Sequence, residues 1–536
     1  MEKNMYDRKY MLNAFCIGYA AIKDNCWNFS IICRHPVLTL LNEYYAGFIQ
    51  GKLQGVDMIK AARNNTWKNS YLCDTNHTFP HSLPPVTELE KAANLLTVNY
   101  NHTIKWIEEN KLDPIKGKCA MAIERLFFRL WGVFDALRME RHREVDEVKK
   151  DVYTPQQGMK LGYGDDELTF GDLYFINTQM DLMDVAASSL ESTYGLTKPD
   201  HCSAFAKRTS DGDIVWTHNS WCGYLSQSHT ISYVIGDESP EFISQNSYCF
   251  GQVGSNMDFG FNGHGICFNE TTHRYSFNKP KADGVWLCWR SAAAEMFAQS
   301  IDEFYDYLSV DNTGTYLNGY MVIDARKKDM ALIEMSYKRF SMLRSGQDGS
   351  LTGMFSTGEE FDKDLDYDKH LMTNNYILGV NYPVVKKIAY DLASTDNRPM
   401  RRIQFFNQIG GVNDVENAKE LITYIADKDN EPLSICGRWD IGIGTTEYPK
   451  TIPDGAVDAK AFSANKVCEL LDCLEFKPCE SGGRLSFWMR YGVAPFKGEN
   501  FVWSKSQWAE YKDASEKDFV PDDVSGAWNE TKLFMK

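Results

Sequence analysis

The sequence predicts an α+β protein in which helices pack on antiparallel sheets. Two observations carry this. Apolar residues recur at helical spacing up to about residue 200 and in short strand-like runs from 203 onward. Several of those runs are joined by turn signals that make hairpins, such as Asp211-Gly212. Layers of helices on hairpin-connected strands are the packed form such a pattern takes.

Taken in order, residues 1–9 are charged and 11–21 apolar, a stretch too short and interrupted for a secretory leader. Residues 36–200 read as mostly helical. Leu38, Leu41, Tyr45, Phe48 and Ile49 mark the first helix, with Gly51 as its stop. Further helices are expected over 84–110, entered through Pro84-Pro85, over 118–145, and over 168–192, with 151–167 as a Gly-punctuated loop. Strands are expected at 203–208, 213–218, 229–235, 247–252 and 264–268, then one helix over 288–308. Strands follow at 320–324, 330–334 and 340–343, and the last third mixes helices with turn-rich segments.

The chain has 536 residues, 43% hydrophobic and 13% aromatic, enough for a large core. A net charge of −16 excludes nucleic-acid binding through a broad basic surface. No run of about 18 apolar residues is present, so no transmembrane segment is expected. The fourteen cysteines show no zinc-site spacing, and no metal or cofactor is expected. Cys16, Cys26 and Cys33, and Cys468, Cys473 and Cys479, form two clusters that suit either disulfides or buried thiols. Glycosylation sequons begin at Asn28, Asn64, Asn76, Asn101, Asn269 and Asn529 and lean toward the secretory route. The sequence leaves open whether the chain forms a homodimer.

The most informative segment is Asp200-His201-Cys202-Ser203-Ala204-Phe205, answered sixteen residues after Cys202 by His218-Asn219-Ser220-Trp221. The hairpin sets Cys202 beside His218. A cysteine is ordinarily a small buried hydrophobe. Here it opens a strand after a Gly/Pro-punctuated stretch. A cut between His201 and Cys202 would give Cys202 a free α-amine of pKa ~8, near the thiol's ~8.5, so one residue supplies nucleophile and base. The thiol can make that cut by attacking its own preceding carbonyl, with His201 beside the bond. His218 would orient the site, Asn219 would donate to an oxyanion, and Trp221 would wall the pocket. Asn312-Thr313-Gly314-Thr315-Tyr316 is either an ordinary turn or a loop presenting an Asn amide. Arg401 and Arg402 are candidates for an anionic head group, or a solvated basic pair.

These segments together resemble the phospholipase B-like family of N-terminal nucleophile (Ntn) hydrolases. His201-Cys202-Ser203-Ala204 is similar to its cleavage and nucleophile motif, His218-Asn219-Ser220-Trp221 to its His-Asn-Thr-Trp block, and Asn312-Thr313-Gly314-Thr315-Tyr316 to its Asn-Ser-Gly-Thr-Tyr block. Leu317 stands where the family usually has the first of two Asn, and Asn318 matches the second. Weaker likenesses lie at 45–51, 432–436, 455–460 and 502–504, so the resemblance spans nearly the whole chain. Bile-salt-hydrolase-like Ntn enzymes carry Arg-Asn at the offset of His218-Asn219.

The resemblance implies an αββα sandwich and autocleavage into 1–201, mostly helical, and 202–536, bearing the nucleophile, the two remaining one structural unit. It implies acyl ester or amide hydrolysis with a lipid substrate, and a lysosomal or secreted glycoprotein. The rival readings are an amidase of N-acyl amides on the same site and a non-catalytic lipid-binding member of the fold.

Overall fold

A computed structural model describes residues 7–36, 39–69, 86–189, 202–236, 241–255, 259–396, 399–443, 453–476, 484–512 and 519–534. The chain opens with three strands, β1 (Arg8–Met11), β2 (Cys16–Lys23) and β3 (Cys26–Cys33). Five helices follow: α1 (Thr39–Asn69), α2 (Val86–Asn110), α3 (Gly117–Arg138), α4 (Val145–Tyr153) and α5 (Phe170–Ser189). Then come β4 (Ser203–Arg208), β5 (Ile214–Asn219), β6 (Trp221–Gly223), β7 (His229–Ile235), β8 (Glu241–Ser247), β9 (Phe259–Asn262) and β10 (Ile266–Thr272). Helices α6 (Leu287–Phe297) and α7 (Ile301–Ser309) lead to β11 (Asn318–Asp324), β12 (Asp329–Met335), β13 (Phe340–Ser345), β14 (Leu351–Phe355) and β15 (Tyr376–Gly379). The rest is α8 (Lys386–Asp391), α9 (Pro399–Ile409), α10 (Val415–Ile422), β16 (Asp454–Ala456), β17 (Asp458–Ser463), α11 (Ala464–Phe476), β18 (Arg484–Tyr491) and β19 (Trp528–Leu533).

The class is α+β, as expected, built on two large sheets. One has eleven strands in the order β1-β2-β3-β7-β8-β9-β10-β11-β12-β13-β14, antiparallel throughout except where β3 runs parallel to β7. The other has six, in the order β15-β4-β5-β17-β18-β19. The first sheet packs its strands β3, β10 and β11 on β4, β5, β15, β18 and β19 of the second. Helix α1 covers β2, β3 and β7, α6 covers β8 to β10, and α7 lies on β11.

Side-chain alternation shows what covers the second sheet. In β4 and β5, Trp216 and His218 face the large sheet and meet Phe259, with ring centroids 6.4 Å away in both cases. On the opposite face Phe205 meets Phe405 of α9 at 6.0 Å, and Asn219 reaches the end of α10. Successive side chains thus separate an inter-sheet interior from an outer helical cover.

Several expectations change. Residues 7–33, to which no strand was assigned from sequence, form three strands of the large sheet, because Cys16, Tyr19, Ala20, Phe29 and Ile31 bury against α1 and the sheet. Gly51 does not end α1. It lies where a Cβ would meet Ala136 Cβ at 2.7 Å and Val133 O at 2.8 Å of α3, so its smallness serves helix crossing, and the break in helical geometry comes at Gly55, φ +79°. The expected strand 247–252 is a turn; the strand is β8 just before it. The helix 288–308 is two helices, broken where Ser300 caps α7 by accepting from Glu303 N at 3.1 Å.

The sequons and cysteines also resolve. Asn28, Asn64, Asn269 and Asn529 are buried with their amides in hydrogen bonds, so a glycan there would displace core contacts. Asn101 bonds Gln156 through both ends of its amide, and Asn76 lies outside the described residues. Among the described residues twelve cysteines are thiols. Also among them, no helix is long and apolar enough to cross a membrane.

Candidate functional site

Cys202 stands one residue before β4 and is 6% exposed. Ser203 pairs with Asn219 and Ala204 with His218, so the hairpin sets Cys202 diagonal to His218, as the Asp211-Gly212 turn implied. Cys202 shares the parity of Ala204 and His218, the face turned to the large sheet. Its φ is +77°, a left-handed conformation that a Cβ disfavours.

Three groups fix this backbone. Asn219 Oδ1 accepts from Ser203 N at 2.8 Å and from Trp221 Nε1 at 2.8 Å, while its Nδ2 donates to the carbonyls of Ile422 (2.9 Å) and Ile435 (3.1 Å). Both of its N–H bonds are therefore committed to holding the hairpin against the segment after α10. Ser203 Oγ donates to Ile435 O at 3.1 Å. Arg401 is fully buried. Its Nη1 donates to Cys202 O at 3.1 Å and Ser203 Oγ at 2.8 Å, its Nη2 to Val380 O at 2.6 Å and Asn381 Oδ1 at 2.9 Å. The guanidinium also lies 5.4 Å from the Trp221 ring centre. Arg401 is thus neither solvated nor turned to a head group, because its two terminal nitrogens are committed to four hydrogen bonds in the interior. Arg402 is half-buried and paired with Asp368 (2.6 Å) and Asp396 (3.0 Å).

Burial pushes the Cys202 thiol well above its usual pKa, and the Glu270 carboxylate adds to this. The Trp221 backbone N–H and the Lys460 ammonium act in the opposite direction. The His218 imidazole is driven well below its usual pKa, first by burial and then by Lys460, so it is neutral at physiological pH. Its Nδ1 lies 3.5 Å from Ser220 Oγ.

Lys460 sits opposite His218 on β17, fully buried. It donates to Ser220 Oγ at 2.6 Å and forms an ion pair with Asp458 at 2.7 Å. Asp458 also accepts from Ser220 N at 2.9 Å and from Ser228 Oγ. Sequence reasoning gave Asp458 and Lys460 no role, although Asp-x-Lys on a strand sets both side chains on one face. Glu270 left no signal of its own; its Oε1 accepts from Tyr316 Oη at 2.9 Å.

The remaining candidates divide. Asn312 is a turn residue whose amide donates to Ser336 O at 2.9 Å and whose Oδ1 accepts from Gly314 N at 3.0 Å. Asn318 is fully buried, and both ends of its amide lack a hydrogen-bond partner among the described residues. It pairs with Thr272 and shares a sheet face with Glu270. Gly379 pairs with Ala204 and packs on Thr271 and Met321, which puts Asn318 at the same end of the two sheets as Cys202. Trp221 is buried in a small cluster with Cys436, Trp439, Ala456 and Ala494. His201 lies outside the described residues. Among the described residues no group of three or more His, Cys, Asp or Glu is arranged to hold a metal ion.

The family model described as Phospholipase B matches residues 20–512. The chain is 24% identical to a protein named Phospholipase B from Crotalus adamanteus over 510 residues, covering 87% of this chain and 81% of that one. It is 23% identical to Phospholipase-B 81 from Drysdalia coronoides over 85% of this chain and 80% of that one. It is 26% identical to Phospholipase B-like 1 from Homo sapiens over 61% and 55% respectively.

Proposed function

The chain belongs to the phospholipase B family, and from that premise we propose that it is an acyl hydrolase of phospholipids whose nucleophile is Cys202, released by a cut between His201 and Cys202. The observation that carries this is the conformation of Cys202: a buried non-glycine residue, held at φ +77° by Asn219 and Arg401 at the mouth of a strand. The φ torsion of residue 202 includes the carbonyl carbon of residue 201. Cutting that bond abolishes the torsion and releases its strain, about 1–3 kcal/mol. The helix–sheet–sheet–helix order of contacts supports an Ntn-type sandwich.

In the proposed reaction the thiol adds to the ester carbonyl while the new α-amine takes its proton. The tetrahedral oxyanion collapses to a thioester, and the amine passes the proton to the leaving alkoxide. Water then attacks the thioester, restoring the thiol and releasing the fatty acid. The Trp221 backbone N–H, already directed at the thiol, is the proposed oxyanion donor; Asn318 shares the face of its strand with Tyr320, which meets Phe304 of α7, and is turned away from the thiol. Neutral His218 and the Lys460–Asp458 pair hold Ser220 and the strand end in place.

The test is a reduced denaturing gel of active protein with N-terminal sequencing, alongside release of fatty acid from phosphatidylcholine. The expected outcome is a fragment spanning 202–536 that begins at Cys202, with neither cleavage nor release in Cys202→Ala. An intact single chain that releases fatty acid would overturn the mechanism.

A further inference from the structure

The three cysteines near the start of the chain divide between the two faces of one hairpin. Cys16 opens β2 and Cys33 closes β3, and the register sets them directly opposite each other. Their face is the one under α1: a Cβ at Gly18, which has the parity of Cys16, would run into Ile49 and Leu53 of that helix. Tyr45 of α1 lies near both thiols. Cys26 has the opposite parity to Cys33 and turns to the second sheet, where the Tyr491 backbone and the Asn529 side chain bond its sulfur. The pairing geometry is equally specific. Arg34 N donates to Phe15 O at 2.9 Å, which closes the hydrogen-bonded pair next to Cys16 and Cys33. Alternation makes Cys16 and Cys33 a non-hydrogen-bonded pair, with Cα atoms about 4.5 Å apart. A disulfide spans about 4.4–6.8 Å between Cα atoms. The two thiols are hydrogen-bonded to each other. That bond holds the Cys16 thiol below its usual pKa against the effect of burial, with help from the Arg34 N–H and the Asn13 side chain. Burial pushes the Cys33 thiol well above its own, and the bond to Cys16 adds to this.

We propose that Cys16 and Cys33 are a dithiol–disulfide couple, closed by a soluble disulfide such as glutathione disulfide and stapling β2 to β3. The Cys16 thiolate attacks one sulfur of the soluble disulfide, whose S–S bond breaks and releases one thiol. The Cys33 thiolate then attacks the Cys16 sulfur, forming the Cys16–Cys33 bond and releasing the second thiol. Two protein thiols are oxidised by two electrons, and one soluble disulfide is reduced to two thiols. Both sulfurs are buried, but the pair stands at the open end of its hairpin beside Phe15, which is 48% exposed, so fraying of that end admits the reagent. The bond would close the loop 17–32 at the end opposite the Asp24-Asn25 turn, which removes freedom from the unfolded chain. It would also fix Cys33, whose carbonyl accepts from Gly236 N at 2.8 Å just past β7. Such a bond persists in an oxidising compartment. Both cysteines lie within residues 1–201, so the couple neither needs the proposed cut before Cys202 nor joins the parts on either side of it.

The experiment incubates the folded full chain with glutathione disulfide, alkylates every remaining thiol in denaturant, and maps the cysteine-bearing peptides by mass spectrometry. The expected result is loss of alkylation at Cys16 and Cys33 together, a peptide that joins them, and continued alkylation of Cys26. Dithiothreitol should reopen the link and restore both alkylation sites. This mapping uses the unsubstituted chain, so it stands whether or not a variant folds. For the order of attack, Cys33→Ala should carry glutathione on Cys16, and Cys16→Ala should leave Cys33 alkylated. Alkylation of both Cys16 and Cys33 after incubation, a link from either to Cys26, or a link that forms only in chain first unfolded with urea would overturn the proposal. Glutathione on Cys33 of Cys16→Ala, with none on Cys16 of Cys33→Ala, would overturn the assignment of Cys16 as the attacking thiol.

Discussion

At the scale of residues, the site is a problem of holding one peptide unit in an unfavoured conformation. Arg401 does much of this, with four hydrogen bonds spread over Cys202, Ser203, Val380 and Asn381. Lysine has the charge but not the planar fork that meets four acceptors at once. Arg401→Lys is expected to stay folded and to slow both chain cleavage and fatty-acid release at least tenfold. Arg401→Ala should cost about 3 kcal/mol in urea unfolding, since the buried carbonyls lose a charged partner. Wild-type cleavage kinetics in Arg401→Lys would refute a positioning role. The nucleophile hairpin was legible because its cause is local: an Asp-Gly turn and two short apolar runs fix the register between Ser203 and Asn219. Arg401 was not, because its partner lies 199 residues away and nothing in its neighbourhood separates a buried guanidinium from a solvated one. Asn219 was found but misassigned: its position in the hairpin is readable, whereas the carbonyls of Ile422 and Ile435 that occupy its amide come from a distant segment.

At the scale of elements, the helices were the most legible part, because α2 and α3 keep an apolar period over twenty residues or more. What escaped was where they touch. Helices α1 and α3 cross at backbone contact: a Cβ at Gly132 would stand 2.1 Å from Tyr44 O, and one at Gly47 would stand 1.9 Å from Arg129 O. Nothing at these points is a movable side-chain tip. Gly132→Ala is therefore expected to force the helices apart and to destabilise the protein by about 3 kcal/mol in chemical denaturation. A loss under 0.5 kcal/mol would show that the crossing is loose. The α6–α7 break carried a sequence sign, Ser300 with Glu303 three residues on, which the apolar run across it concealed. Strand β8 carried little, since Glu241-Phe242-Ile243-Ser244-Gln245-Asn246-Ser247 buries its polar side chains in the interior. Ser244, for one, bonds Ser232 and Ser486 across strands.

At the scale of the whole molecule, the expected division into a helical 1–201 part and a nucleophile-bearing 202–536 part does not coincide with a structural seam. Residues 7–33 supply three strands of the large sheet, and β3 runs parallel to β7 from the other side of the proposed cut. A chain cut before Cys202 should therefore elute as one particle in native size exclusion and separate only in denaturant. Separation of the two pieces in buffer alone would contradict this. The resemblance implied one structural unit, but the pairing that would hold it together was not legible, since a parallel pair joins segments about two hundred residues apart and leaves no local mark. The same strand has another neighbour. Asn28 donates to Lys532 O, and Ser30 Oγ accepts from Phe534 N at 3.0 Å, so β3 meets the last described residues of the chain. During synthesis at roughly 5–20 residues per second, β3 emerges long before residues 532–534 and waits roughly half a minute to two minutes for the segment that completes its contacts. Folding cannot be completed vectorially here: β3 stays incompletely satisfied until the segment around β19 has been made.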